Sequence, residues 1–190
     1  MSSGKAKKEN RHKKGLRMEP DILQSTTKQR VLIFPAQTPK ILNRPVYFLF
    51  SLVQMEDVIM DAAVHPVPFS PPYIEGVAEW RDHVVPVLSL EGCLGLKPEK
   101  SQKARRLMVV RVAKKEITKV ENHRSMLRVV PPIRMATLPI ECTPVSVGWI
   151  PDKNLVKGIY EWEKGFLVVT HTEKILLGGN GSKSENIRIS

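Results

Sequence analysis

Short apolar runs separated by turn-forming residues dominate the chain after about residue 30. The runs are rich in β-branched and aromatic side chains and are bounded by Pro, Gly or polar clusters, which predicts strands. The predicted strands are 31–34, 46–53, 84–90, 107–112, 126–130, 156–160 and 166–170. Prolines scattered between them would break long helices. The pattern therefore predicts an all-β protein, and no internal repeat is visible in the sequence.

Only short helices fit this pattern. We predict helical turns at 54–57, just after Leu90, and at 172–177, where Thr172 would cap the last helix. The stretch 139–151 contains prolines at a spacing that denies it both a helix and a central strand, so it is predicted to be a long loop.

The most informative segment ends in the run 84–88, which is rich in β-branched residues and reads as a strand buried on both faces. Trp80 and Arg81 precede it on a predicted tight turn, and Gly76 feeds that turn. A large amphipathic ring beside a planar cation is typical of a protein-contact surface. The segment therefore predicts a binding module.

Three segments resemble the CheW-like adaptors of bacterial chemotaxis. Residues 74–90, IEGVAEWRDHVVPVLSL, resemble the family's central signature, in which a G-V pair and a loop Arg precede a buried, Pro-containing strand. Residues 47–61, YFLFSLVQMEDVIMD, are similar to its second strand and the turn after it, and 158–177 to its last two strands and terminal helix. The resemblance spans about residues 30–177 and is loosest between 114 and 151.

The chain also departs from the family pattern, as a divergent member would. The family's Gly after the loop Arg is Asp82 here, and its Asp near the end of the buried strand is Ser89. A Gly-x-x-Val-Asp-x-Val segment of the family's second half is represented only by residues 125–133.

The resemblance implies a fold of two five-stranded, SH3-like β-barrels packed side by side, with a few short helices. We expect the first barrel to take most of 46–97 and the second much of 105–156, with strands exchanged near both termini. The polar stretch 97–103 would connect them.

Three units follow from this division of the chain. Residues 1–29 are predicted to be a disordered basic tail, 30–177 the CheW-like domain, and 178–190 a flexible tail. At 190 residues with 42% hydrophobic content, the chain can bury one sizeable core.

The resemblance also implies a function, that of a non-enzymatic scaffold between a chemoreceptor's cytoplasmic tip and the regulatory domain of a CheA-type histidine kinase. Arg81 falls on the family's loop Arg, Met55 and Asp57 on its partner-contact turn, and Gly76 on the glycine before the loop; Trp80 joins them as the neighbour of Arg81. Each also has a plainer interpretation, since Met55 would fill core, Asp57 would cap a turn and Gly76 would supply a backbone angle.

Charge supports a second hypothesis. Residues 1–30 carry nine Lys or Arg against three acidic residues, which accounts for +6 of the net charge of +11. Such an arm could contact nucleic acid, anionic lipid or an acidic partner, or act only as a solvated tail. The alternative function is therefore a nucleic-acid-binding small β-barrel protein, although no strand interleaves aromatic and basic residues.

Signals for catalysis and cofactors are weak. The five histidines have no partner at a spacing typical of a triad or a metal face, and Cys93 and Cys142 do not form a C-x-x-C motif. We expect no enzymatic activity, no cofactor and no metal, and we expect both cysteines to be small core residues. The absence of a long apolar run or a secretion signal leads us to expect a cytoplasmic protein without membrane insertion.

Overall fold

A computed structural model of the chain describes residues 28–97, 106–115 and 120–177. The predicted tails 1–29 and 178–190 lie outside the described residues apart from positions 28 and 29. The predicted connection 97–103 also lies outside them, apart from Lys97.

Strands make up most of the described residues, with two short α-helices and two 3-10 turns. The strands are β1 (Arg30–Pro35), β2 (Val46–Ser51), β3 (Met55–Met60), β4 (Ile74–Trp80), β5 (His83–Leu88), β6 (Arg106–Lys115), β7 (Val120–Val129), β8 (Arg134–Thr137), β9 (Thr143–Pro144), β10 (Val156–Trp162) and β11 (Gly165–Thr170). The helices are α1 (Leu90–Cys93) and α2 (Thr172–Leu176), and the 3-10 turns are Leu52–Gln54 and Lys153–Leu155.

Two sheets contain these strands, and the predicted all-β class is confirmed. The flanking sheet has the order β8-β1-β2-β11-β10-β9, and the central sheet has the order β3-β6-β7-β5-β4. In each sheet, the two described edge strands do not pair with each other, so the sheets are not closed barrels.

The predicted division at 97–105 is wrong. Strand β6 pairs with β3, and β7 pairs with β5, so the described strands between residues 55 and 129 form one sheet and the strands before and after them form the other.

The two sheets share one topology. In the flanking sheet, β8, β1 and β2 are antiparallel, β2 is parallel to β11, and β11 forms a hairpin with β10. In the central sheet, β3, β6 and β7 are antiparallel, β7 is parallel to β5, and β5 forms a hairpin with β4. The hairpins β4–β5 and β10–β11 therefore occupy equivalent positions.

The central strands are apolar on both faces because each face packs against a different core. In β2, Phe48 and Phe50 enter the cluster between the two sheets, whereas Leu49 enters a cluster on the other side of the flanking sheet. In β6, Met108 joins the cluster between the sheets and Val109 a third cluster inside the central sheet. This alternation explains why the sequence shows continuous apolar runs.

Some local predictions fail at the ends of elements. Val84 is 74% exposed, so the predicted burial on both faces does not hold for the first residue of the run 84–88. The helical turn predicted at 54–57 is a 3-10 turn that ends at Gln54, and β3 begins at the next residue. Thr172 is the first residue of α2 and does not cap it, because His171 holds the N-cap position.

Other predictions hold. The helical turn predicted just after Leu90 is α1, which Ser89 caps by accepting a hydrogen bond from the Gly92 N–H. Cys93 is buried and Cys142 packs partly buried beside the flanking sheet, as expected of small core residues. Residues 139–151 are a loop apart from the two-residue strand β9.

Candidate partner-binding site

The predicted site residues Trp80 and Arg81 lie at the tip of the β4–β5 hairpin. Trp80 pairs with His83, which leaves Arg81 and Asp82 as a two-residue turn. Both turn residues have positive φ, 47° and 62°, as a type I′ turn requires. Because neither is glycine, the turn holds two side chains in a conformation that most L-residues avoid. We call residues 80–83 the Arg81 tip.

Trp80 is a core residue, in contrast to the surface position that the sequence predicted for its ring. Its side chain is 8% exposed and packs in the cluster inside the central sheet with Val85, Val109 and Met126. Its one polar atom is satisfied, since Nε1 donates a hydrogen bond of 3.0 Å to Asp57 Oδ2. Trp80 therefore offers little surface to a partner and acts as a platform at the tip.

Arg81 is the exposed member of the tip. Its guanidinium carbon lies 4.5 Å from the centroid of the Trp80 ring, and its Nη2 lies 3.7 Å from Asp57 Oδ2. The side chain is nevertheless 69% exposed. The stacking holds the guanidinium in one place, and most of its donors face solvent.

Asp57 links the tip to the opposite edge of the central sheet. It belongs to β3, whereas Trp80 belongs to β4, and these are the two edge strands. The hydrogen bond from Trp80 and then that from the Val58 N–H lower the pKa of the Asp57 carboxyl, against the opposing effect of burial, and the charge of Arg81 contributes least. Asp57 is therefore a carboxylate at neutral pH, and its bond to Trp80 bridges the two edges with side chains.

A second carboxylate widens the network beneath the tip. A bulge in β3 between Met55 and Asp57 leaves Glu56 as an extra residue. Glu56 accepts hydrogen bonds of 2.7 and 3.3 Å from Arg124 and lies 3.4 Å from Arg111. The Arg124 guanidinium also lies 5.6 Å from the Trp80 ring, and its hydrogen bond to Glu56 raises its pKa.

Sequence reasoning missed Glu56, Arg111 and Arg124. The two arginines stand opposite each other in the register of β6 and β7, a pairing that only the hairpin's register reveals. With them, the network contains three guanidinium groups and two carboxylates, so it presents one unbalanced positive charge. That charge is carried outward by Arg81.

Met55 and Gly76 are placed elsewhere and serve the fold. Met55 is half-buried and packs against the cluster between the sheets. Gly76 is buried with φ of 151°, and a Cβ atom there would lie 2.3 Å from the His65 carbonyl oxygen. This close approach lets His65 pair with Val77. The structure thus brings together Asp57, Trp80 and Arg81 of the five predicted residues.

Two further features bear on the type of site. In the described part of the chain, no group of three or more His, Cys, Asp or Glu side chains could hold a metal ion. The helices within the same residues are too short or too polar to cross a membrane.

Known proteins resemble this chain in part of its sequence and in its fold. Residues 43–130, which include the whole Arg81 tip, match the CheW-like domain. No curated protein matches the chain. Among solved structures, the chain is similar to the scaffolding protein TtCheW from Thermoanaerobacter tengcongensis, with 19% sequence identity and a TM-score of 0.53 over 78% of this chain and 92% of that protein. Residues 43–130 are therefore similar to the CheW-like domain, and the chain shares its all-β fold with a CheW scaffolding protein.

Proposed function

We propose that the chain is a non-enzymatic adaptor that couples chemoreceptors to a CheA-type histidine kinase in a chemotaxis-like pathway. The CheW-like domain over residues 43–130 and the fold shared with a scaffolding protein support this role. Such an adaptor acts in the cytoplasm, where the kinase and the receptor tips lie, and needs no cofactor.

The observation that carries the proposal is the state of Arg81. Its guanidinium is held over Trp80, while 3.7 Å separates it from Asp57, its ion-pair partner at the tip. A cation that is already positioned loses little conformational entropy when it binds, and a planar guanidinium can grip a carboxylate with two hydrogen bonds. The Arg81 tip therefore suits a partner surface that presents an acidic residue.

The resemblance to the family supplies the identity of the partners. By that resemblance, the central sheet with the Arg81 tip docks on the kinase regulatory domain, which is itself built like this protein. The receptor hairpin binds at the surface where the two sheets meet. Both assignments belong to the proposal.

The nucleic-acid hypothesis rests on net charge, and that charge is unevenly placed. The described residues, 28–97, 106–115 and 120–177, contain 17 Lys or Arg against 13 Asp or Glu. The remaining +7 of the net charge of +11 belongs to other residues of the chain. Within the described residues, a net charge this small does not favour a basic nucleic-acid-binding surface.

Binding of the purified full chain to purified candidates tests the proposal. The candidates are the regulatory domain of a CheA-type kinase, a chemoreceptor cytoplasmic hairpin and a DNA or RNA oligonucleotide, each at low and at physiological salt. We expect the two proteins to bind at both salt concentrations, and oligonucleotide binding to be weak and largely lost at physiological salt. Tight oligonucleotide binding at physiological salt, without binding of either protein, would favour the alternative.

A further inference from the structure

The loop between β3 and β4 combines exposure with an absence of charge. Residues 62–74 contain no Lys, Arg, Asp or Glu, although 26% of the chain is charged. Nevertheless, the consecutive residues 65–69 are all exposed. Exposed apolar residues that lie together are a feature of protein–protein and membrane contact sites.

Phe69 is the most prominent side chain of this loop. It is fully exposed, and its φ of 62° lies in the left-handed region. The Ser70 N–H points to the Val67 carbonyl at 3.4 Å, and Pro68 occupies the second position of the turn that this contact closes. Pro at the second position and positive φ at the third are the features of a type II turn, whose third residue is usually Gly or Asn. An aromatic residue there is strained, and strain of this kind tends to persist at functional sites.

The loop is held firmly at both of its ends. His65 exchanges two backbone hydrogen bonds of 2.8 Å with Val77 in β4. At the other end, the Ser89 N–H donates a 2.9 Å hydrogen bond to the Tyr73 carbonyl. Four prolines restrict the backbone between these anchors, namely Pro66, Pro68, Pro71 and Pro72. The Phe69 ring is thus presented on a preorganised turn.

We infer that Phe69 is an anchor residue that inserts into an uncharged apolar pocket on a partner protein of the adaptor. This inference rests on the proposed function and adds to it a contact outside the Arg81 tip. A rigidly held aromatic side chain loses little entropy on binding and contributes a large apolar area, which is the composition of a binding hot spot.

The charges that border the loop argue for a protein partner over a lipid surface. Loops that insert into membranes usually flank their apolar residues with Lys or Arg, which attract anionic headgroups. The nearest charged residues along the chain are the acidic Asp61 and Glu75, and Glu75 is paired with Arg128 at 2.5 Å. Residues 45–80 contain no Lys or Arg, so this segment lacks the cations that would attract such a surface.

The test replaces Phe69 with glycine and uses Leu42 as a matched control. Leu42 is also largely exposed and has φ of 51°, but it lies in the turn between β1 and β2. Because Phe69→Gly and Leu42→Gly both relieve a positive φ, both variants should melt at or above the temperature of the wild type. We expect Phe69→Gly to weaken binding to the kinase regulatory domain or the receptor hairpin by about tenfold or more. Leu42→Gly should bind both partners like the wild type.

Each other result has a distinct meaning. If the wild type binds a partner and Phe69→Gly binds it equally well, the inference is wrong and the proposed function stands. If the wild type binds neither partner, the proposed function fails and the inference fails with it. Phe69-dependent sedimentation with vesicles of equal phosphatidylcholine and phosphatidylglycerol, or Phe69-dependent dimerisation in ultracentrifugation, without an effect on partner binding would overturn the inference in favour of a lipid surface or a second copy.

Discussion

The Arg81 tip and the tip of the β10–β11 hairpin are two versions of one arrangement. Each hairpin ends its first strand in a tryptophan, Trp80 or Trp162, and begins its turn with a residue of positive φ, Arg81 at 47° or Glu163 at 51°. Each turn residue pairs with a side chain from the strand that begins its sheet's order, Asp57 from β3 or Arg134 from β8. The charges are reversed, because the turn residue is basic at one tip and acidic at the other.

The two tips differ in how fully their charges are satisfied. At the second tip, Arg134 donates two hydrogen bonds of 2.7 and 3.3 Å to Glu163 and stacks 4.5 Å from the Trp162 ring. Tyr47 completes that cluster with an edge-to-face contact of 5.2 Å to Trp162. At the Arg81 tip, the corresponding ion-pair distance is 3.7 Å. The same scaffold thus holds a closed ion pair on one sheet and a guanidinium with free donors on the other.

Replacing the tryptophan of each tip should give the largest difference in the free energy of unfolding between the two tips. Trp80→Ala should lower the free energy of unfolding by about 3–5 kcal/mol, because it leaves a cavity in the core of the central sheet and removes the hydrogen bond to Asp57 Oδ2. Trp162 is only partly buried, so Trp162→Ala should cost roughly 1–2 kcal/mol. Chemical denaturation of both variants measures the difference. Equal losses of unfolding free energy would show that the difference in burial does not determine the stability that each tryptophan contributes.

Glu91, at the junction between the two sheets, provides a reference for stability that involves neither tip. The buried Glu91 carboxylate accepts hydrogen bonds from the Gln37 N–H at 2.6 Å and from the Ser89 hydroxyl at 3.0 Å. Glu91→Ala should cost about 1–3 kcal/mol, because it leaves the Gln37 N–H without this partner. Denaturation at one neutral pH measures the loss, and an unchanged free energy of unfolding would contradict this account of the junction.

Glu91 also predicts a pH dependence. Burial raises the pKa of its carboxyl, against the opposing effect of its hydrogen bonds. The folded state therefore binds the proton more tightly than the unfolded state, so this stabilisation is complete below the unfolded pKa and is lost as pH rises through the folded pKa. In Glu91→Gln, that decline should disappear from a series of denaturation curves recorded above the ordinary pKa of a glutamate carboxyl. A decline of the same size in the variant would assign it to another group.

Substitutions in the two hairpin turns should change the free energy of unfolding least. Asp82→Gly relieves a φ of 62° and should raise the free energy of unfolding by up to about 1 kcal/mol. Glu163→Gly relieves a similar angle but removes both hydrogen bonds to Arg134, so we expect no net gain. Thermal melts of the two variants compare them directly. A gain from Glu163→Gly equal to that from Asp82→Gly would mean that the Arg134 pair contributes nothing to stability.

The sequence predicted the strands that are buried on two faces, together with β10, and missed β3, β4, β8 and β9. Continuous apolar runs mark β2 and β11 because two cores receive their alternating side chains. Strands β3 and β8 lie at sheet edges, and their mixture of polar and apolar residues resembles turns. Apolar periodicity alone could not reveal them.

The site residues were also predicted only in part, because several contacts of the site join residues that are far apart in the chain. Local sequence and family resemblance pointed to Asp57, Trp80 and Arg81. The burial of Trp80 depends on strands far away in the chain, and the Glu56 network depends on a bulge and on the register of β6 with β7. Neither can be read from neighbouring residues. The topological equivalence of the two hairpins leaves only a short trace in the sequence, GVAEW at 76–80 and GIYEW at 158–162, which apolar periodicity alone did not reveal.

The most direct test of the adaptor role compares Arg81→Glu with Arg134→Glu, with thermal stability and affinity for the kinase regulatory domain and the receptor hairpin measured for both. Arg81→Glu should change stability by no more than about 0.5 kcal/mol, because the side chain is exposed. It should weaken partner binding by roughly 2 kcal/mol or more, because it removes the guanidinium and introduces repulsion. Arg134→Glu should lose about 1 kcal/mol of stability with its hydrogen bonds to Glu163 and bind normally. An Arg81→Glu protein that unfolds, or that folds and binds both partners like the wild type, would contradict the account.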